Sequence, residues 1–132
     1  MKNYSFQKFT SNNTRLESRV TITRNYAIGF PTKFYNDNNF ANYKYVVLYY
    51  DTENRAIAIK PTNAEEEGRI SILKSKQGYG GHIIAKSFFK MHNISVEDYR
   101  GRHEWQKLPA PQLGLAPEGH VFIIELSPYK EN

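Results

Sequence analysis

The chain contains no cysteine. Disulfides, thiolate metal ligands and cysteine nucleophiles are therefore excluded, and the composition suits a reducing compartment. Long hydrophobic runs are also missing. The run Tyr45-Val46-Val47-Leu48-Tyr49-Tyr50 is far short of the roughly 20 apolar residues of a membrane-crossing helix. The opening Met1-Lys2-Asn3-Tyr4-Ser5-Phe6 lacks the apolar core of a signal peptide. The expectation is a soluble, cytoplasmic protein that does not engage a membrane. Tryptophan occurs once and methionine twice, against eight Phe and ten Tyr, so a core built here must be rich in Phe and Tyr.

Motifs of catalysis are absent too. His82, His92, His103 and His120 show neither HxxxH nor HExxH spacing. There is no GxSxG, no paired carboxylates in an apolar setting and no nuclease-like acidic constellation. The loop Lys74-Ser75-Lys76-Gln77-Gly78-Tyr79-Gly80-Gly81-His82 is rich in glycine but has no Gly-Lys-Ser/Thr, so it is not a phosphate-binding P-loop. No enzyme, metal or cofactor is expected.

What is present is a pattern that occurs twice. Arg19-Val20-Thr21-Ile22-Thr23 alternates as a half-buried strand and is echoed by Arg69-Ile70-Ser71-Ile72-Leu73. Ile28-Gly29-Phe30-Pro31-Thr32-Lys33-Phe34-Tyr35 turns into a short helix, stopped by Asn36-Asp37-Asn38-Asn39. Ile83-Ile84-Ala85-Lys86-Ser87-Phe88-Phe89 repeats that turn, with Phe34-Tyr35 matching Phe88-Phe89 and Phe40 matching Ile94. In the first half, strands over 45–51 and 55–60 form a hairpin around Asp51-Thr52-Glu53-Asn54, ended by Pro61. In the second, a helix spans 86–93 and Ser95 caps a short turn over 96–99. A strand follows over 100–105, then a Pro- and Gly-rich loop over 108–119 and a strand over 120–126. The expectation is one domain: a mobile polar arm over 1–18, a body over 19–126 with repeats 19–62 and 69–126, and a polar tail over 127–132. Its core should include Val20, Ile22, Phe34, Phe40, Val47, Ile57, Ile70, Ile72, Phe88, Ile94, Ile123 and Leu126, with Phe34 and Phe88 as equivalent buried anchors. Phe6 and Phe9 could dock on that body.

The half-unit of strand, Ile-x-x-Pro-x-x-Phe, short helix, YVVLYYD and AIAIKP resembles the AbrB/MraZ/SpoVT family of small β-barrel transcription factors and antitoxins. The resemblance covers residues 19–62 and, more weakly, 69–126. It implies a mainly β fold: a small pseudo-twofold β-barrel, AbrB-like or double-psi-like, built from two strand-helix-hairpin repeats with two or three short helices. It also implies DNA binding by basic residues near the strand-to-Pro turn. The family's Gly-Arg stands four to five residues before the Pro. Here Tyr26 and Ala27 fill those places, and Gly80 and Gly81 fill them in the second half, with Ala85 replacing the Pro.

Charge supports the same class of partner. Net charge is +5. Residues 1–50 carry seven Lys/Arg against two Asp/Glu, and residues 69–107 carry eight against three. The connector 51–68 and the last stretch 108–132 are acidic. Two basic repeat cores suit a phosphate-bearing partner. The expected nucleic-acid contacts are Arg19, Arg24, Lys33, Lys74, Lys76, Lys86 and Lys90. Arg24 and Lys74, each at a strand end before a loop, would form a paired phosphate clamp, or would simply reach solvent at the barrel rim. Tyrosines among these cations could stack bases of a single strand. The leading expectation is a non-enzymatic DNA-binding regulator or antitoxin-like protein, monomeric or homodimeric. The other is a protein-interaction module or small inhibitor using the aromatic surface.

Overall fold

The computed structural model describes residues 3–6, 17–76 and 79–126. The chain is mainly β. Its strands are β1 (Val20–Ile22), β2 (Ala27–Phe30), β3 (Tyr45–Asp51), β4 (Ala56–Thr62), β5 (Ile70–Ser71), β6 (Leu73–Lys74), β7 (Gly81–Ile84), β8 (Gly101–His103), β9 (Gln106–Pro109) and β10 (His120–Glu125). Three short helices accompany them: α1 (Thr32–Asp37), α2 (Lys86–Met91) and α3 (Val96–Tyr99). Most of the expected arm, including Phe9, and the tail 127–132 lie outside the described residues. Within the arm, Phe6 is exposed rather than docked, and its ring stacks on Tyr4.

The hydrogen-bond ladder does not run round one closed barrel. It divides into two antiparallel five-stranded sheets, ordered β6-β7-β2-β1-β8 and β5-β3-β4-β10-β9. The physical reason lies in two bent stretches. Residues 70–74 pair with β3 through Ile70–Ser71, then with β7 through Leu73–Lys74. Between them the Ile72 N–H donates to the Lys44 carbonyl at 2.9 Å. Residues 101–109 likewise pair with β1 before Glu104-Trp105 and with β10 after it. Each stretch serves two sheets in succession, which is how strands turn corners between packed sheets.

The core between the sheets is aromatic. Phe34 from α1 is fully buried, 5.0 Å from both Phe122 and Trp105 and 5.1 Å from Phe40, ring centre to ring centre. Edge and tilted contacts of this kind add to area burial. Trp105, at the second corner, donates its indole N–H to the Ser18 carbonyl at 2.8 Å. Val20, Ile22, Phe40, Val47, Ile57, Ile72, Ile94 and Leu126 are buried as expected.

Three expected core residues are only half-buried: Ile70, Phe88 and Ile123. In β10, Phe122 and Ile124 pair with Ile59 and Ile57 and share the inner face, so Ile123, opposite Ala58, must point outward. In α2, Phe89 takes the core position, while Phe88 packs against Tyr50 and His92. Successive helical residues differ by about 100° in direction, and α2 is turned so that Phe89 meets the core while Phe88 lies at its margin.

Other boundaries shift for local reasons. Pro61 lies within β4 rather than ending it, opposite Val46; the β10 pairing stops at Ile59, so the missing N–H costs no ladder bond on that side. β3 is not buried on both faces, since Tyr49 and Tyr50 are half-exposed. Helix α2 stops at Met91 because Asn93 turns left-handed (φ 54°). The expected loop 108–119 contains the end of β9 and a 3-10 turn, Ala110–Leu113, whose Ala110 is fully buried.

Two predictions follow from this packing. Phe34→Ala and Phe89→Ala should each destabilise by about 3–5 kcal/mol, and Phe88→Ala by clearly less; chemical denaturation midpoints would rank them, and equal costs for Phe88 and Phe89 would contradict the helix orientation. Gly80 is left-handed (φ 89°), and a Cβ there would sit 2.3 Å from the Phe30 carbonyl oxygen. Gly80→Ala should therefore cost upwards of about 2 kcal/mol, whereas a melting temperature equal to wild type would refute this close approach.

Candidate nucleic-acid interface

The expected basic residues fall into different situations. Arg19 is held by Glu17 at 2.8 Å, and Arg102 reaches the same carboxylate at 3.2 Å. The Arg19 hydrogen bond lowers the Glu17 pKa, and Glu17 in turn raises that of Arg19. Lys33 closes on Asp37 one turn away at 2.8 Å. Lys74 donates to the Ala41 carbonyl at 2.8 Å. Lys76 is exposed at the edge of the loop, whose Gln77 and Gly78 lie outside the described residues.

Lys86 and Lys90 come together over one residue, Tyr26, and Arg24 stands two positions before it in the same turn. The β1–β2 turn is closed by Thr23 N–H to the Ala27 carbonyl at 3.0 Å and Tyr26 N–H to the Thr23 carbonyl at 3.2 Å. The Thr23 hydroxyl also accepts from the Ala27 N–H. Closing the turn puts Tyr26 in the left-handed region (φ 64°). Its carbonyl then accepts from the Ala85 N–H at 2.8 Å, which ties the turn to the start of α2. Lys86 and Lys90 lie one helical turn apart on α2. Their ammonium groups stand 5.8 Å and 5.7 Å from the centre of the Tyr26 ring, within cation–π range. The ring rests on Phe89 at 6.4 Å, so the core sets its position.

Arg24 projects from the same turn, mostly exposed, with Glu97 of α3 at 4.0 Å. Such an exposed pair is weak and easily displaced. Among the described residues no carboxylate lies within 4.0 Å of the Lys86 or Lys90 ammonium. A shallow depression of about 360 Å³ adjoins the cluster, lined by Tyr26, Lys90, Asn93, Ser95 and Glu97 among others. The surface offers three cations and a phenol, with one acidic side chain at its border.

Arg24 and Lys74 are thus differently engaged, one beside Glu97 and the other on a backbone carbonyl. Lys107, poised over the Phe122 ring, Arg55, over the Tyr99 ring, and Arg69, over the Tyr45 ring, are further cations with no distinguishing pattern in the sequence. The contact of Lys86 and Lys90 with Tyr26 is also invisible in sequence, because it joins residues about 60 positions apart. The spacing of the two lysines on one helical face was the available signal. Among the described residues no group of three or more His, Asp or Glu is placed to hold a metal, and no helix is long and apolar enough to cross a membrane. Set against known proteins, the chain matches no family, no curated protein and no solved structure.

His103 responds to pH elsewhere. Burial lowers its pKa below the ordinary imidazole value of about 6.5, and its Nε2 lies 2.6 Å from the Tyr99 carbonyl oxygen. A neutral form favoured by folding contributes stability above the unfolded pKa, and that contribution is lost as pH falls below it. The melting temperature should therefore drop between pH 7.5 and 5.5, and His103→Gln should flatten the drop. The carboxylates with lowered values, Glu17 and Asp51, act only at more acidic pH. An equal pH dependence in the variant would rule out His103 as its source.

Proposed function

We propose that the chain is a non-enzymatic DNA-binding protein, a transcription regulator or antitoxin-like protein, that contacts the phosphate backbone through the Tyr26 turn and α2. The observation that carries this reading is the cluster itself: two lysines with no carboxylate partner, held over a tyrosine whose position the core sets, beside an exposed arginine. Cations committed to a surface in this way suit a polyanion better than a neutral partner.

The architecture proposed with it is a pseudo-twofold barrel of the AbrB-like or double-psi-like kind, with the two sheets as its walls. Several features support this. Both edges of each sheet continue along the chain into an edge of the other, β5 into β6 and β8 into β9. Helices α1 and α2 have matching limits, Thr32 with Lys86 and Asp37 with Met91. The left-handed positions match at the same spacing, Tyr26 with Gly80 and Asn39 with Asn93. The ladder between β2 and β7 pairs Ala27 with Ile84 and Phe30 with Gly81, as exchange of the halves requires.

Charge does not follow that correspondence. Thr32 and Asn36 stand where α2 has Lys86 and Lys90, Gly80 stands for Tyr26, and Lys33 is closed on Asp37. The proposed contact is accordingly one-sided, with α1 contributing little.

Binding to random duplex DNA at low salt, followed by fluorescence anisotropy as salt is raised, tests the reading. Lys86→Ala with Lys90→Ala should lower the slope of log affinity against log salt by roughly two contacts' worth, and Lys33→Ala should leave it unchanged. A folded double variant with the wild-type slope would move the interface elsewhere. No binding to duplex or single-stranded DNA at low salt would favour the second reading, a protein-interaction module. That reading draws on Leu73 and Ile84, exposed on neighbouring strands β6 and β7, with Tyr79 exposed in the loop between them.

A further inference from the structure

A separate cleft of about 670 Å³ opens where the end of β4, the start of β10 and the segment after α1 meet. We propose that it is a binding site for a small, singly phosphorylated polyol, with Lys107 as the anchor for the phosphate. The volume is that of a small-molecule pocket. Phe122 forms the floor, and Asn38, Asn39, Tyr43, Asn63 and His120 stand around it.

The ladder explains why Lys107 faces this space. Phe122 of β10 pairs with Lys107 of β9 on one side and Ile59 of β4 on the other, so the three side chains share one face. His120, two residues before Phe122, has the same facing and pairs with Pro109. The Lys107 ammonium lies 5.7 Å from the centre of the Phe122 ring. Among the described residues no carboxylate lies within 4.0 Å of it, although Glu118 lines the same cleft. Lys60, the other lysine of the lining, is already on Glu66 at 3.6 Å.

The walls are fixed before any ligand arrives. The Asn63 side chain accepts from the Lys44 N–H at 2.9 Å and donates to the Asn42 carbonyl at 2.8 Å. Asn38 donates to the Phe34 carbonyl at 3.0 Å, and the Thr62 hydroxyl accepts from the Ala64 N–H at 3.0 Å. A preformed polar wall limits the ordering cost of binding. One uncommitted ammonium suits one anionic group, Glu118 opposes a second, and the amides and the Tyr43 phenol suit hydroxyls.

Amide NMR titration of the full chain with a ribose phosphate, inorganic phosphate and ribose tests this. The ribose phosphate should give saturable shifts at Asn63, Lys107 and His120, inorganic phosphate weaker shifts at the same residues, and ribose none. Lys107→Met keeps the stem over Phe122 while removing the charge, and should weaken binding about tenfold. Glu118→Gln should strengthen it, and Lys86→Met should leave it unchanged, which separates this site from the proposed nucleic-acid surface. Unaltered affinity in Lys107→Met, or shifts scattered over the surface lysines and abolished by Lys86→Met, would overturn the site. Equal binding of ribose alone would overturn the ligand class.

Discussion

The packing of Phe34 against Phe40, Trp105 and Phe122 is the constraint on which the rest of the structure depends. These four rings come from α1, the turn after it, the corner between β8 and β9, and β10. They therefore join the helix to both sheets. Strands as short as β5, β6 and β8 cannot stand alone in water. They persist because the chain segments that carry them are clamped by this cluster and by the Ile28, Ile57, Ile59, Ile83 and Ile124 side chains around it.

A second constraint acts on the backbone. Tyr26 and Gly80 are both left-handed, and each brings a turn against the start of a helix: Tyr26 against Ala85, and Gly80 against Phe30 and Pro31. The two contacts differ in what they tolerate. At Gly80 the approach leaves no space for a Cβ, and glycine is required. At Tyr26 a side chain fits, and it extends over α2 to meet the two lysines. A single geometric device thus leaves one turn bare and equips the other with an aromatic ring.

Electrostatics then sort the cations. Arg19, Lys33 and Lys60 are paired with carboxylates, and Lys74 donates to a backbone carbonyl. Lys86, Lys90 and Lys107 sit over rings with no carboxylate in reach among the described residues. Arg55 and Arg69 likewise lie over rings, those of Tyr99 and Tyr45. The proposed polyanion surface draws on Lys86 and Lys90, and the proposed phosphate cleft on Lys107.

By itself the sequence determined the elements that depend on neighbours along the chain. The alternation of Val20 and Ile22, the Asp51–Asn54 turn, the Pro31 entry to a short helix and the Ser95 cap are all local, and each appears where its pattern stands. The mainly β class was legible for the same reason. Only the tertiary structure decided which of Phe88 and Phe89 is buried, which face of Val121-Phe122-Ile123-Ile124 turns inward, and that residues 70–74 divide between two sheets. Those choices rest on ladder register and helix orientation, and both are set by partners far away in the chain. The same holds for the charges: a lysine looks alike in sequence whether it ends on an aspartate, a carbonyl or an aromatic ring, because the group that receives it is brought there only by the fold.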